Sequence, residues 1–300
     1  MMFKRNIPKN GIALLVTVLF IMLITFSIGI GLKYVSTSAT NMKSEHFLFQ
    51  SSILLDDILK ILKSSKDLEQ INSPGSLALF LTRSSLISFE SSGIKIAISI
   101  ESARSKINPN VLSNEARINA FKSFLAKNTV NLGYADMLLD LQGGMKENMS
   151  YNTNIFNDNP ELFRDYITSY EHLEALGDIY MKKYHDDNLK NINMKELFYI
   201  GVEKNSYIDL NYATLPVWEF ILGCDKNRAS ALVAGEGTYR TLKDLALNSE
   251  EASLLKRFKT SFFEPYLDVK VKITQESNSA NIRFEYNIRS KKVSNCVFKI

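Results

Sequence analysis

Three hundred residues, 45% hydrophobic and 23% charged, describe a globular chain with room for one large or two small cored domains. Lys4, Arg5 and Lys9 supply three of the four units of the +4 net charge, so the body carries no bulk attraction for nucleic acid or anionic lipid. Two cysteines, Cys224 and Cys296, provide neither a disulfide framework nor a metal-ligand spacing, and whether they pair stays open.

The basic leader, residues 1–11, ends in Gly11, and residues 12–32 follow without a charge. As a helix the run from Gly11 to Leu32 spans about 33 Å, enough for a bilayer core. A secretory signal has the opposite order, with its small residues behind the apolar core. Positive-inside logic places the N-terminus in the cytoplasm and everything after Leu32 across the membrane. A plain signal anchor fits these facts equally well. The join itself, glycine followed directly by an apolar helix, is what separates the two.

The helix is expected to continue over residues 33–65, with Val35, Ala39, Met42, His46, Phe49 and Ile53 recurring at spacings of three and four, joined by Leu54, Ile58 and Ile61. His46 lies on that stripe and reads as a core residue. The helix should fade at Ser64-Ser65, with Ser73-Pro74-Gly75 as a break. Strands are predicted at Leu86–Glu90 and Ile94–Ile100 around the turn Ser91-Ser92-Gly93, and again at Leu267–Ile273 and Ile282–Tyr286. Between these blocks the chain reads helical. The fold class is therefore α+β: a long N-terminal transmembrane and spine helix, and an antiparallel sheet interrupted by a large helical insertion. The sheet subdomain takes residues 66–110 and 262–300, the insertion residues 111–261, and adjacent strands would supply its close-lying ends.

Within the insertion, residues 208–247 look like a helix-hairpin-helix unit. Asn211 is placed to cap a first helix over Thr214–Leu222, Gly223-Cys224-Asp225 makes the hairpin, and Ala229–Ala234 begins the second helix. A DNA-binding hairpin brings backbone N–H groups to a phosphate through a second glycine; here Asp225 stands in that place and argues against nucleic acid. Residues 158–187 are acidic, with apolar positions at helical spacing, which reads as solvated acidic helix faces. A sharper alternative takes Asn152, Asn154, Asn157, Asp158, Asn159 and Glu161 as a calcium loop, although the spacing is not that of an EF-hand and the central glycine is missing. His185-Asp186-Asp187 has no partner motif, and no nucleophile or phosphate-binding signature occurs, so the chain is expected not to be an enzyme.

Lys9-Asn10-Gly11 before Ile12-Ala13-Leu14-Leu15 resembles the processing site of the type IV pilin and pseudopilin superfamily. The resemblance implies cleavage by a prepilin peptidase after Gly11 and methylation of Ile12. Most members carry glutamate as the fifth residue after the cut, where this chain has Val16. In that absence it resembles the K minor pseudopilin of type II secretion systems. Ser105-Lys106-Ile107-Asn108-Pro109-Asn110, Lys195–Gly201 and Tyr207–Thr214 match degenerate motifs of that family in order. The aspartate-rich segment of many members is reduced here to Leu139-Asp140-Leu141-Gln142-Gly143-Gly144.

The resemblance implies a pilin body with a large helical domain, anchored in the inner membrane with its body in the periplasm. It implies other minor pseudopilins as partners, and calcium in this domain of some members. The function expected is that of a tip subunit that initiates or caps a secretion pseudopilus. Its rivals are a membrane-anchored DNA-binding protein, a minor pilin of a DNA-uptake filament, and a signal-anchored enzyme.

Overall fold

The computed structural model describes residues 18–24, 40–84, 86–91, 93–145, 150–201, 206–275 and 278–299. The processing-site residues Gly11 and Ile12, and Val16, lie outside them. Of the expected membrane segment only residues 18–24 are described, as a helix, α1. No helix among the described residues is long and apolar enough to cross a membrane.

Two compact units are present: one takes the chain up to Ala103 and from Pro265 onward, the other Arg104–Glu264. The helices are α2 (Thr40–Ser64), α3 (Lys66–Glu69) and α4 (Pro74–Ser84) in the first unit. The second holds α5 (Glu115–Lys127), α6 (Gly133–Gln142), α7 (Ile155–Asp158), α8 (Tyr170–Tyr184), α9 (Met194–Leu197), α10 (Leu215–Leu222), α11 (Lys226–Val233) and α12 (Ser249–Leu255). Strands β1 (Leu86–Ser91) and β2 (Ile94–Ser102) precede the short pair β3 (Ile208–Asp209) and β4 (Thr260–Ser261); β5 (Tyr266–Gln275), β6 (Asn278–Asn287) and β7 (Lys292–Lys299) close the chain.

The first unit is a five-stranded antiparallel sheet in the order β1-β2-β5-β6-β7. Alternation with period two puts Ile96 opposite Ile273, Ile98 opposite Val271 and Ile100 opposite Val269, and these continue to Phe284 and Ile282 on β6. All eight are buried, under α2, which packs on β6, and α4, which packs on β2. The intervening positions carry charge. Asp268 accepts from Arg283 Nε at 2.8 Å, and Lys270 Nζ lies 2.7 Å from Glu101. Ser91 faces Ile94 across the hairpin, and Gly93 has φ +77°, a conformation that favours glycine.

Three expectations change here. The buried stripe of α2 runs through Phe47, Leu54, Ile58 and Ile61, whereas Phe49 is 63% exposed. Pro74 starts a helix instead of breaking the chain: Ser76 Oγ accepts from Asn72 N and Ser73 N, and Leu77, Phe80, Leu81 and Ser84 form the buried face of α4. Strand β7 has no fully buried side chain, so it carries no apolar alternation by which to be found. Ser65, the expected end of the long helix, caps α3 by accepting from Leu68 N.

In the second unit an aromatic cluster sits at the centre. The Phe121 ring lies 5.7 Å from Phe198, 5.6 Å from Phe220 and 6.2 Å from Tyr134, all four residues buried. Such pairs stabilise beyond their area alone. The unit begins at Arg104 and not at residue 111, because Ile107, Asn108 and Asn110 are bonded into it.

Removing the Phe284 ring from the sheet core should cost about 3–5 kcal/mol in urea unfolding, whereas Phe49→Ala should change stability by less than about 0.5 kcal/mol. Equal costs would contradict the helix orientation described.

Candidate functional site

The three segments that carry the family resemblance meet in space. Ile107 N donates to Leu197 O, and Tyr199 N donates back to Ile107 O, forming a parallel bridge between Ile107 and Phe198. Asp209 N donates to Arg104 O, Thr214 N to Ser105 O, and Thr214 Oγ1 to Glu196 O at 2.7 Å. Buried side-chain amides and one carboxylate complete this platform. Asn108 Nδ2 donates to Gly201 O, and Asn110 exchanges two bonds with the backbone of Ile167. Each serves a backbone group that would otherwise lie buried without a partner, at a cost of about 1–3 kcal/mol.

Asn211, expected to cap α10, does something else. Its Nδ2 donates to Tyr239 O at 2.8 Å and Phe262 O at 2.7 Å, while its Oδ1 accepts from Tyr239 N. Thr214 takes the N-cap position, and Pro216 follows within the first turn, where its missing N–H costs nothing. Asp209 is fully buried and accepts from Asn211 N and Glu264 N. Burial pushes its carboxyl up to about 7, against the pull of those two N–H donors.

The hairpin forms around Gly223 at φ +61°, but several of its polar groups already have partners within the chain. Asp225 caps α11 by accepting from Arg228 N at 2.8 Å. The Arg228 guanidinium is spent on Glu251 and on the carbonyls of Leu245 and Ala246. Lys127 Nζ donates to Gly223 O. A phosphate would have to compete with all of these. Cys224 and Cys296 are free thiols; burial pushes Cys224 up to about 11, above any range that would make it a nucleophile at neutral pH. In the His185-Asp186-Asp187 run, His185 ends α8 at φ 51°, Asp186 accepts from Tyr180 Oη, Asn131 N and Asn188 N, and Asp187 pairs with Lys190 at 2.6 Å. The tyrosine hydroxyl, chiefly, holds the Asp186 carboxyl below its usual range.

Four of the six calcium-loop residues have partners of their own within the chain. Asn152 Nδ2 donates to Asp140 Oδ1 at 2.9 Å, and Asn159 Nδ2 donates to Ile155 O at 3.1 Å. Lys183 Nζ reaches Asn154 Oδ1 at 2.8 Å and Asp158 Oδ2 at 3.4 Å, so an ammonium holds two of the oxygens. Asn157 and Glu161 are exposed. The set therefore does not fit a calcium ion, which needs six to eight inward oxygens. Among the described residues no three His, Cys, Asp or Glu side chains form a metal cluster. What orders the loop is Asp140, the carboxylate of the reduced aspartate-rich segment Leu139–Gly144. Fully buried on α6, it accepts from the backbone N of Asn152 and Thr153, from Asn152 Nδ2 and from Thr153 Oγ1, at 2.7–2.9 Å. A lone aspartate on an apolar helix face was the available signal.

Asp140→Ala removes the acceptor of two part-buried N–H donors and should cost about 1–3 kcal/mol in urea unfolding. Millimolar calcium should move Tm by less than about 1 °C relative to a chelator; a rise of several degrees that Asp158→Ala abolishes would overturn the fit. Because the Asp209 pKa is raised, the folded state holds that proton more firmly than the unfolded chain. Its contribution is therefore present below pH ~4 and is lost as pH rises through about 7, so unfolding free energy should fall over that window. Carbon-13 NMR of the carboxyl checks this, with a midpoint near 4 as the contrary result.

No protein-family model matches the chain, and no curated protein matches it. Among solved structures it is similar to a chain of the GspK-GspI-GspJ complex from the type II secretion system of enterotoxigenic Escherichia coli, at 12% identity and a TM-score of 0.52. The match covers 87% of this chain and 100% of that one. The likeness is one of fold: a mixed α/β, pseudopilin-type architecture with an antiparallel sheet and many helices.

Proposed function

We propose that this chain is a minor pseudopilin of the K type, placed at the tip of a type II secretion pseudopilus, where it initiates or caps the filament that drives protein export across the outer membrane. The observation that carries the reading is the interruption of the helix-on-sheet unit between β2 and β5 by a complete helical unit, in a fold similar to that of a pseudopilin complex. The leader and the apolar run that starts at Ile12 support it from the sequence. In this reading residues 12–32 hold the subunit in the inner membrane with its N-terminus cytoplasmic and its body periplasmic. Prepilin peptidase frees and methylates Ile12, and the apolar helix then packs against those of other minor pseudopilins. No catalysis is required of it, and no metal.

Val16 fits a tip position. An amino terminus buried in a bundle of apolar helices needs a counter-charge from a neighbour, and a subunit with valine there cannot supply one. The bulk of the helical insertion blocks addition of a further subunit.

Mass spectrometry of the protein from membranes with and without active prepilin peptidase tests the assignment. A peptidase-dependent chain beginning at methylated Ile12 is expected; retention of Lys4–Gly11 in both samples would make the protein a signal-anchored one. Val16→Glu should shift the position of the subunit or lower assembly yield, and unchanged tip placement with unchanged secretion would count against the role given to that position.

A further inference from the structure

An open trough of about 450 Å³ lies on the second unit, formed by the segment before α12, by α12 itself through Ala252 and Leu255, and by the segment that follows it. Leu255 and Phe258 make a buried floor with the half-buried Leu247, and Leu242, 55% exposed, stands at the edge. Lys243 and Lys256 are exposed on its lining, and neither pairs with a carboxylate among the described residues. An apolar floor beside two unneutralised ammonium groups is complementary to a ligand that joins apolar side chains to carboxylates.

The wall is built before anything binds. Ala246, on the lining, sits at φ 46°, a left-handed conformation unfavourable for a residue with a Cβ. Arg228 holds it there: Nη2 donates to Leu245 O at 2.7 Å and Ala246 O at 3.1 Å, while Nε and Nη2 are anchored on Glu251. Asp244 fixes the start of the same turn by accepting from Arg240 N and Thr241 N. A cross-braced turn that keeps an alanine left-handed and a leucine exposed is preorganised to bind.

We infer that this trough is a docking site for a short acidic and apolar segment of a partner protein, its leucine- or phenylalanine-type side chain on Leu255 and Phe258 and its carboxylates on Lys243 and Lys256. The assignment does not depend on the filament reading; it rests on the trough alone.

The test is fluorescence anisotropy on the purified full chain with two labelled peptides of the same leucines and phenylalanines, one carrying Asp and Glu, the other Lys and Arg in their places. The acidic peptide should bind at least about tenfold more tightly, and K243E/K256E should reverse the order. Both lysines are exposed, so the double variant is expected to fold, and an unchanged Tm verifies it. Equal binding of the two peptides, or a preference that survives the charge reversal, overturns the proposal. So does lysine-dependent binding to anionic-lipid nanodiscs without peptide binding, which would assign the trough to a membrane surface.

Discussion

The pairing of β2 with β5 is the constraint on which the rest of the first unit depends. Ser102 faces Leu267, and Ala103 N donates to Tyr266 O at the point where the chain leaves the sheet and returns to it. Closing a loop of that size costs entropy that grows only with the logarithm of its length, but it must be recovered from the strands that meet. The nine-residue register of β2 on β5, with isoleucine and valine opposite one another on the covered face, supplies it. Because the inserted unit begins and ends at neighbouring strands, it can be a complete folded body without disturbing the register. The sheet needs only that its ends be brought together.

The second unit solves a different problem. Its helices are short and its connections long, so many backbone groups fall inside without a ladder to join. Asn108, Asn110, Asn211, Asp140 and Asp209 answer this one by one, each bonding to backbone far away in the chain or across a loop. The segments that resemble the K pseudopilin family are therefore those that hold the unit's non-helical backbone. In this chain those residues serve buried backbone groups, a task that makes no demand on reactive side chains.

Much of this was legible in the sequence, and the failures are instructive. The alternation Lys95-Ile96-Ala97-Ile98 and Val269-Lys270-Val271-Lys272 revealed β2 and β5, because one face of each is buried and the other charged. The same rule failed for β7, an edge strand whose side chains are all at least partly exposed. Pro74-Gly75 read as a break because proline opens helices as readily as it ends them, and only the buried Leu77, Phe80 and Leu81 decide between the two. Asn211 reads as a cap because asparagine before a helix usually is one; the backbone of Tyr239 and Phe262 takes it instead. The proposed calcium ligands looked gathered along the chain, and Lys183, distant in sequence, is what occupies the oxygens of Asn154 and Asp158. Spacing can suggest a ligand set, but it cannot reveal a competing ammonium.

The interrupted sheet also has a consequence for the order in which the protein is made. Strands β1 and β2 are synthesised long before β5, β6 and β7, so the hairpin emerges with one edge of β2 unpaired. The helical unit, a compact body over Arg104–Glu264, can fold during that interval. Until the last thirty-odd residues arrive, the exposed edge of β2 is the part of the nascent chain most open to proteases and to pairing with another chain. A truncation that removes β5–β7 should therefore leave a folded helical unit joined to an aggregation-prone stub.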